Sequence, residues 1–267
     1  MIYIRRPDKP RELTDEVRKN LTEAFLEDNK KKVWDQPFLK AALLEMTHDK
    51  CCYCEKKVGK GTVDMHVDHF KPKSLYPMEV VEWNNLLPSC ADCNRNKSNH
   101  DTCSEPIINP SVDNPKEFFY LKDYRYKSFD TSENSKANVT IQVLGLNDLE
   151  RKCVVRFQIA AGIMDKLSDI CQYAKEHINE LPRDTRKRNK VVRACRDLLS
   201  MCIPSAEYSA FTATALQTDS DYIEMKEILK GINQWNDELE ALDQESKQCI
   251  YRTTRFKDAD SSYKVCH

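Results

Sequence analysis

The first fifty residues carry apolar side chains at helical spacing. After Thr14, apolar residues recur at every fourth position, which predicts an amphipathic helix over about residues 15–30 with Thr14 as its cap. Pro37 suits the first turn of a second helix whose apolar positions also share one face. The apolar positions of the two helices are Val17, Leu21, Phe25, Phe38, Ala41 and Leu44.

Between residues 51 and 98 the pattern changes to short runs of β-branched and aromatic residues. The runs "CCYCEKKV" and "TVDMHVDHF" are separated by Gly59 and Gly61, which predicts a β-hairpin with a flexible turn. After a proline-containing loop, Ser89 is followed three residues later by Asp92, a capping-box pattern that predicts a short helix to about Lys97.

The rest of the chain is predicted to be mostly helical. "EFFYLKDYRY" and "NVTIQVLGLN" are rich in aromatic and β-branched residues, and we expect them to form a small sheet or hairpin. Asn147 then caps a long helix that Pro182 stops or kinks. Further helices are predicted near residues 184–201, 205–217 and 221–243. The fold class is therefore mainly α, with a small α+β module and a helical C-terminal half.

Composition narrows the class of protein but not its partner. With 5 glycines, 11 prolines and 32% charged residues in 267, the chain fits a helix-rich soluble protein. Lys+Arg (42) and Asp+Glu (43) nearly cancel, so a nucleic-acid partner has to be sought in local basic clusters. No segment approaches the ~20 apolar residues of a membrane span and no signal-peptide run opens the chain, so we expect a cytoplasmic protein.

Cysteine spacing is the strongest chemical signal in the sequence. In a reducing compartment, closely spaced cysteines are more typical of metal sites than of disulfides. Cys51 and Cys54 form one C-x-x-C pair and Cys90 and Cys93 a second, which together can supply the four thiolates of a structural zinc site. Cys52 is expected to pack in the core, because C-x-C is a poorer chelate. The histidines between the pairs are then free for other roles.

The stretch between the two cysteine pairs carries residue types suited to phosphodiester hydrolysis. That reaction needs a base to activate water and a metal ion to stabilise charge on the phosphate. Aspartate and asparagine offer oxygen ligands of the kind that Mg²⁺ or Mn²⁺ prefers, and histidine is a base near neutral pH. These types occur in "DHFKP" at 68–72, "NNL" at 84–86 and "CADCNRNK" at 90–97.

This constellation resembles the HNH endonuclease family, whose ββα-metal fold places two strands and a helix around one divalent ion. The family motif is a D-H pair, then N-L, then C-x-x-C-N-x-x-K. In this chain it matches Asp68-His69, Asn85-Leu86 and the segment from Cys90 to Lys97. The chain departs from the usual pattern at Ser98, where the family has glycine.

The resemblance implies a role for each motif residue. His69 would be the general base, and Asp68 and Asn94 would bind the catalytic Mg²⁺ or Mn²⁺. Asn85 would brace the loop beside the histidine. His66 is the alternative base, although no proline follows it at the spacing seen after His69, and on a strand it would face the same way as Asp68.

Two groups of basic residues are candidates for contact with phosphates. Near the motif they are Lys71, Lys73, Arg95 and Lys97, each of which is equally compatible with a solvated basic rim. Further along, residues 183–196 contain seven basic residues and one acidic residue. If helical, this segment covers more than one face, so part could contact a phosphate backbone while the rest is solvated or binds a protein partner.

Over about residues 1–160 the chain is similar to the PtuB-like HNH nucleases of retron and Septu anti-phage systems. The similarity lies in "MIYIRRPDKPRELT", in "CCYCEKKV", "HFKPKS" and "EWNNLLPSCADCNRNKS", and in "VTIQVLGLNDLERKCVVRF". It implies an ABC-type ATPase partner (PtuA-like) and, in retron systems, a reverse transcriptase with its small DNA. DNA is the default substrate of the motif, and RNA such as tRNA is the alternative.

We therefore expect three regions: N-terminal helices (1–50), a zinc-bound ββα-metal nuclease core (51–105), and a connector, small β segment and helical partner-binding region (106–267). The rival interpretation is a zinc-knuckle module that binds nucleic acid or protein without chemistry. The nuclease is favoured because a pure binding module has no need of the ordered set Asp68, His69, Asn85 and Asn94.

Overall fold

Nine α-helices and two small antiparallel sheets make up the part of the chain that the computed structural model describes, residues 1–59, 61 and 63–255. The helices are α1 (Asp15–Glu27), α2 (Pro37–Met46), α3 (Ala91–Lys97), α4 (Lys136–Val143), α5 (Val154–Glu176), α6 (Thr185–Ser200), α7 (Ser209–Gln217), α8 (Ser220–Gly231) and α9 (Asp237–Lys247). The strands are β1 (Met65–His69), β2 (Leu86–Cys90), β3 (Phe119–Lys122) and β4 (Arg125–Ser128). The predicted class, mainly α with a small α+β module, is confirmed.

β1, β2 and α3 form the module that contains the motif. The two strands are antiparallel, with Asp68 opposite Leu87 and His69 opposite Leu86, and β2 runs directly into α3. Successive strand side chains point to opposite faces. His66 and Asp68 therefore lie on the α3 face of β1, where α3 side chains contact both. His69 lies on the other face.

The predicted hairpin between residues 51–58 and β1 is wrong, because β1 pairs with β2 across the intervening loop. Residues 51–58 instead form a knuckle that is held to its surroundings by isolated bridges. Within it, the N–H of Glu55 donates to the carbonyl of Cys51 at 3.0 Å, and Glu55 adopts a φ of 65°. This tight turn brings two thiols together and cannot continue a strand ladder.

Two predicted helix starts are displaced by one residue. Cys90, not Ser89, is the N-cap residue of α3, and Ser89 lies inside β2, where its hydroxyl donates to the His66 carbonyl at 3.4 Å. Asp148, not Asn147, caps a π-helical turn that leads into α5. Asn147 instead hydrogen-bonds the backbone of Tyr126 through both its amide atoms, at 2.8 and 2.9 Å. The local sequence predicts that Ser89 and Asn147 cap helices, but both side chains instead hydrogen-bond to residues more than twenty positions away in the chain.

Two further segments differ from the predicted secondary structure. "EFFYLKDYRY" supplies most of the β3–β4 hairpin, as expected, but much of "NVTIQVLGLN" lies in helix α4. Ser135 caps α4 by accepting a hydrogen bond from the Asn138 N–H at 3.3 Å. The apolar face of α4 is buried. The helix predicted over residues 221–243 is two helices, α8 and α9, with a break between them.

The knuckle lies in a core whose buried members come from residues 1–146 and 210–251. Tyr53, Phe119, Phe211 and Tyr251 are among its buried members. Arg156 is fully buried there, with its guanidinium carbon 4.3 Å from the centre of the Phe211 ring. Packing thus crosses the boundaries that we predicted between the three regions, and that division stays a prediction.

A second core lies among the C-terminal helices, where α5 packs against α6, α7 and α8, and α6 and α7 against α9. A third cluster joins α2 to β1 and β2 through Leu43, Val67 and Leu86. Among the described residues, no helix combines the length and apolar character needed to cross a bilayer.

Candidate active site

Four buried thiols converge where the knuckle meets β2 and α3. Cys51 and Cys54 come from the knuckle, Cys90 from the end of β2 and Cys93 from α3, and their sulfurs all lie within 4.8 Å of one another. The Cys54 and Cys90 sulfurs are 3.7 Å apart. Zinc–sulfur bonds of about 2.3 Å in a tetrahedron place the sulfurs about 3.8 Å apart. The four cysteines therefore fit a structural zinc ion.

Cys52 does not join this cluster. It is buried, as predicted, and its backbone N–H donates to the carbonyl of Pro88 at 2.9 Å. That bond ties the knuckle to β2. Since Cys90 and Cys93 flank the first turn of α3, a zinc ion here would also fix the orientation of the helix that presents Asn94.

A cleft of about 1140 Å³ opens beside the knuckle, between α2, β1 and α3. The structure brings together in it the four residues predicted as base or as ligand of the catalytic ion: His66, Asp68, His69 and Asn94. Trp34, from the connector between α1 and α2, also lines the cleft and contacts the His69 ring edge-on at 4.8 Å between centroids.

His69 is held in one tautomer by a backbone contact. Its Nε2 lies 2.8 Å from the carbonyl oxygen of Val80, and because a carbonyl only accepts, Nε2 carries the proton. Nδ1 therefore keeps its lone pair. Burial lowers the pKa of His69 to about 4, so the ring is neutral near pH 7. A neutral imidazole with a free, oriented nitrogen is the form that a general base requires.

Asp68 is buried on the α3 face of β1 and has two close partners. The Tyr53 hydroxyl donates to Oδ2 at 2.6 Å, and the Lys97 ammonium lies 3.1 Å from Oδ1. A carboxylate offers about four lone-pair sites, so these two partners leave two of them unused. Lys97 also donates to the His69 carbonyl at 2.6 Å and is 1% exposed. The prediction that Lys97 contacts nucleic acid is therefore wrong: its ammonium fixes the end of β1.

Asn85 lies behind the cleft, not in it. Its Oδ1 accepts from the Lys71 N–H at 2.7 Å, and its Nδ2 donates to the carbonyls of Lys71 and Glu79, both at 3.1 Å. These bonds join the two ends of the loop that precedes Val80. Because the Val80 carbonyl orients His69, this is the geometry that a bracing residue needs.

His66 and Asn94 meet across the gap between β1 and α3. His66 is exposed and Asn94 is half-buried, and the His66 Nδ1 lies 3.5 Å from the Asn94 Nδ2. Asp68, Asn94 and His66 thus offer oxygen and imidazole donors with which the cleft could hold a divalent ion.

Comparison with known proteins decides the family. Residues 51–100 match the HNH endonuclease family. The chain is also 37% identical over 242 residues to the Septu protein PtuB of Bacillus thuringiensis, which covers 91% of this chain and 92% of that protein. The chain belongs to the PtuB family of HNH endonucleases. It is therefore a nuclease, and the resemblance seen in the sequence is confirmed.

Two more distant relatives extend this comparison. The Septu protein PtuB of Bacillus mycoides (strain KBAB4) is 24% identical over 235 residues, covering 73% of this chain and 78% of that protein. Protein ea31 of Escherichia phage lambda is 25% identical over 200 residues, covering 73% of this chain and 59% of that protein.

Some of the predicted basic residues line the cleft that contains the HNH motif, which we call the HNH cleft, and others do not. Lys73 lines it and lies 5.0 Å above the Trp34 ring, while Arg95 lines it and pairs with Asp92 at 2.6 Å. Lys71 is paired with Glu79 at 2.7 Å and does not line the cleft. Lys73 and Arg95 therefore stay candidates for phosphate contact.

Sequence reasoning missed the contribution of the α1–α2 connector. Lys32 and Trp34 line the HNH cleft, although both lie more than thirty residues before His66 in the chain. The run "KKKVWD" at residues 30–35 combines basic residues with an aromatic one and was the available signal. No sequence signal could have identified the Val80 carbonyl as the partner of His69, because every residue has a backbone carbonyl.

Proposed function

We propose that this HNH endonuclease hydrolyses phosphodiester bonds of nucleic acid, with His69 as general base and Mg²⁺ or Mn²⁺ held by Asp68 and Asn94. The Val80 contact carries the proposal, because it leaves the His69 Nδ1 free to take a proton from water. The ion, when bound, would stabilise negative charge on the phosphate and the leaving oxygen. Lys73 and Arg95 would bind flanking phosphates.

The same proposal includes a place in anti-phage defence, which the 37% identity to a Septu protein supports. The partner would be a PtuA-like ABC-type ATPase, and in a retron arrangement a reverse transcriptase with its small DNA would join them. The C-terminal helices would dock the ATPase, and Leu149 and Phe157, which are 58% and 52% exposed, offer apolar contacts there. The complex would act in the cytoplasm.

DNA is the favoured substrate, and RNA such as tRNA is the second class that the site would admit. The test is to incubate the chain, alone and with its ATPase partner, with DNA and with total RNA, in the presence and absence of Mg²⁺ and Mn²⁺. We expect metal-dependent cleavage of one class. If the wild-type protein binds nucleic acid but cuts neither class under any of these conditions, it is a binding module and the proposal fails.

The base is tested by His69→Ala. We expect the variant to lose cleavage, since alanine has no nitrogen that could replace Nδ1. Its zinc content and melting temperature should stay near those of the wild type, because the four cysteines are untouched. A variant that cleaves at the wild-type rate would contradict the assignment and return His66 as the base.

A further inference from the structure

We propose that His66 is a third protein ligand of the divalent ion in the HNH cleft, beside Asp68 and Asn94. This inference rests on the proposed hydrolytic function, because it concerns the same ion. It assigns His66 to metal binding, and not to the proton transfer that the sequence left open for it. Three features carry it: the face of β1 on which His66 lies, its distance from Asn94, and its exposure to the cleft.

The alternation of side chains along β1 places His66 on the same face as Asp68 and places His69 on the opposite face. His66 and Asp68 are two residues apart and lie on the face of β1 that meets α3. His69 lies on the opposite face, with its Nε2 committed to the Val80 carbonyl. His66 is exposed, lines the cleft, and has its Nδ1 beside the Asn94 amide.

The distance between His66 and Asn94 fits two ligands of one ion. The oxygen and nitrogen of an asparagine amide exchange places by a half-turn of the side chain, so Asn94 Oδ1 can occupy the point 3.5 Å from the His66 Nδ1. Ligands about 2.1 Å from a metal lie about 3.0 Å apart at an octahedral right angle and about 3.4 Å apart in a tetrahedron. Little movement is therefore needed to close the two donors on one ion.

A third ligand of this type changes the metal that the site prefers. Asp68 and Asn94 alone are oxygen donors, a set that suits Mg²⁺. An imidazole nitrogen favours transition metals such as Mn²⁺ over Mg²⁺. We therefore expect Mn²⁺ to bind more tightly than Mg²⁺, and His66 to be the cause.

The test is electron spin-echo spectroscopy of Mn²⁺ bound to the zinc-loaded full-length chain. A directly bound imidazole gives ¹⁴N modulation, which we expect in the wild type and in His69→Ala but not in His66→Ala. Free-Mn²⁺ titration should show at least about a tenfold weaker Kd for His66→Ala, since even outer-shell changes cost metal sites that much. His69→Ala, three positions along the same strand, is the matched control and should stay within about twofold of the wild type.

A second variant separates ligation from folding. In His66→Asp a carboxylate replaces the imidazole, so Mn²⁺ should still bind, without ¹⁴N modulation and with a smaller preference over Mg²⁺. Persistent ¹⁴N modulation in His66→Ala, or unchanged Mn²⁺ affinity in that variant, would overturn the inference. Cleavage is scored separately: a wild type that binds Mn²⁺ through nitrogen but does not cut would refute the proposed function and leave His66 as a ligand.

Discussion

At the residue scale, Asn85, which the sequence indicated as a bracing residue, has a side chain whose hydrogen bonds hold a loop of the site. Its side chain satisfies three backbone groups at the two ends of one loop, and it is 3% exposed. Asn85→Ala would leave those groups without their partner, which costs about 2–3 kcal/mol of folding free energy. It would also release the loop that carries the Val80 carbonyl, so we expect cleavage to fall by about 10- to 100-fold.

Asn84→Ala is the matched control, because Asn84 is the exposed neighbour in the same turn. Urea denaturation and the cleavage rate are measured for both variants. Asn84→Ala should stay within about 0.5 kcal/mol and twofold of the wild type. If Asn85→Ala matches the wild type in both measurements, the loop does not depend on Asn85.

At the element scale, α6 presents a basic stripe, which we define as Arg186, Lys190 and Arg193. All three are exposed, and their spacing of four and three residues puts them along one helix face for about 10 Å. The ion pairs of α6 lie elsewhere: Lys187 pairs with Glu180, and Arg196 with Asp197. We expect the basic stripe to contact the phosphate backbone of nucleic acid.

Two charge-matched double variants test the basic stripe. Arg186→Gln/Arg193→Gln should weaken nucleic-acid binding and reduce the slope of log K against log salt by about 1.4–1.8, the value for two lost phosphate contacts. Lys187→Gln/Arg196→Gln removes the same charge from paired positions and should leave the slope nearly unchanged. Equal losses in the two variants would mean that general charge, and not the stripe, governs binding.

At the scale of the whole molecule, the zinc site should govern the stability of the chain. The four cysteines belong to a core that runs from Met1 to Tyr251, so the effect of losing zinc should not stay local. We expect Cys54→Ser to lose zinc and to melt about 10 °C lower or more, with cleavage lost. Cys52→Ala, at the buried neighbour outside the cluster, should keep one zinc per chain by elemental analysis. Full zinc content in Cys54→Ser would refute the four-cysteine site.

The second core depends on a buried carboxylate. Asp243 of α9 accepts from Tyr222 at 2.5 Å, Lys226 at 2.6 Å and Gln217 at 2.9 Å, and so ties α9 to α7 and α8. Burial raises the pKa of Asp243, but the hydrogen bonds from Lys226, Lys247, Tyr222 and Gln217 outweigh it and hold that pKa well below its ordinary value of 3.8.

Asp243→Asn should therefore destabilise the chain in a pH-dependent way. Because the folded pKa is depressed, the unfolded chain binds the proton first, so the stabilisation is complete above about pH 4 and falls as the pH drops further. At pH 7 we expect a loss of about 3 kcal/mol, measured by urea denaturation. The difference between wild type and variant should shrink below pH 4. A difference that stays constant down to pH 3 would show that the carboxylate charge is not the cause.

The sequence by itself determined the features that depend on neighbours along the chain. The cysteine spacing, the HNH motif, the Thr14 cap of α1 and the start of α2 at Pro37 all follow from short-range geometry, and the structure has the helices and the cysteine cluster. The helical class also followed from the composition, because few glycines and regular apolar spacing favour helices.

Only the tertiary structure decided which distant groups meet. β1 pairs with β2 and not with the knuckle, Lys97 is buried against Asp68, and the Val80 carbonyl orients His69. His66 reaches Asn94 through the packing of β1 against α3. No local sequence pattern predicts these contacts, because each joins residues that are far apart along the chain. They form only when the folded chain packs around the four thiols and the cleft, and such tertiary packing overrides local preferences.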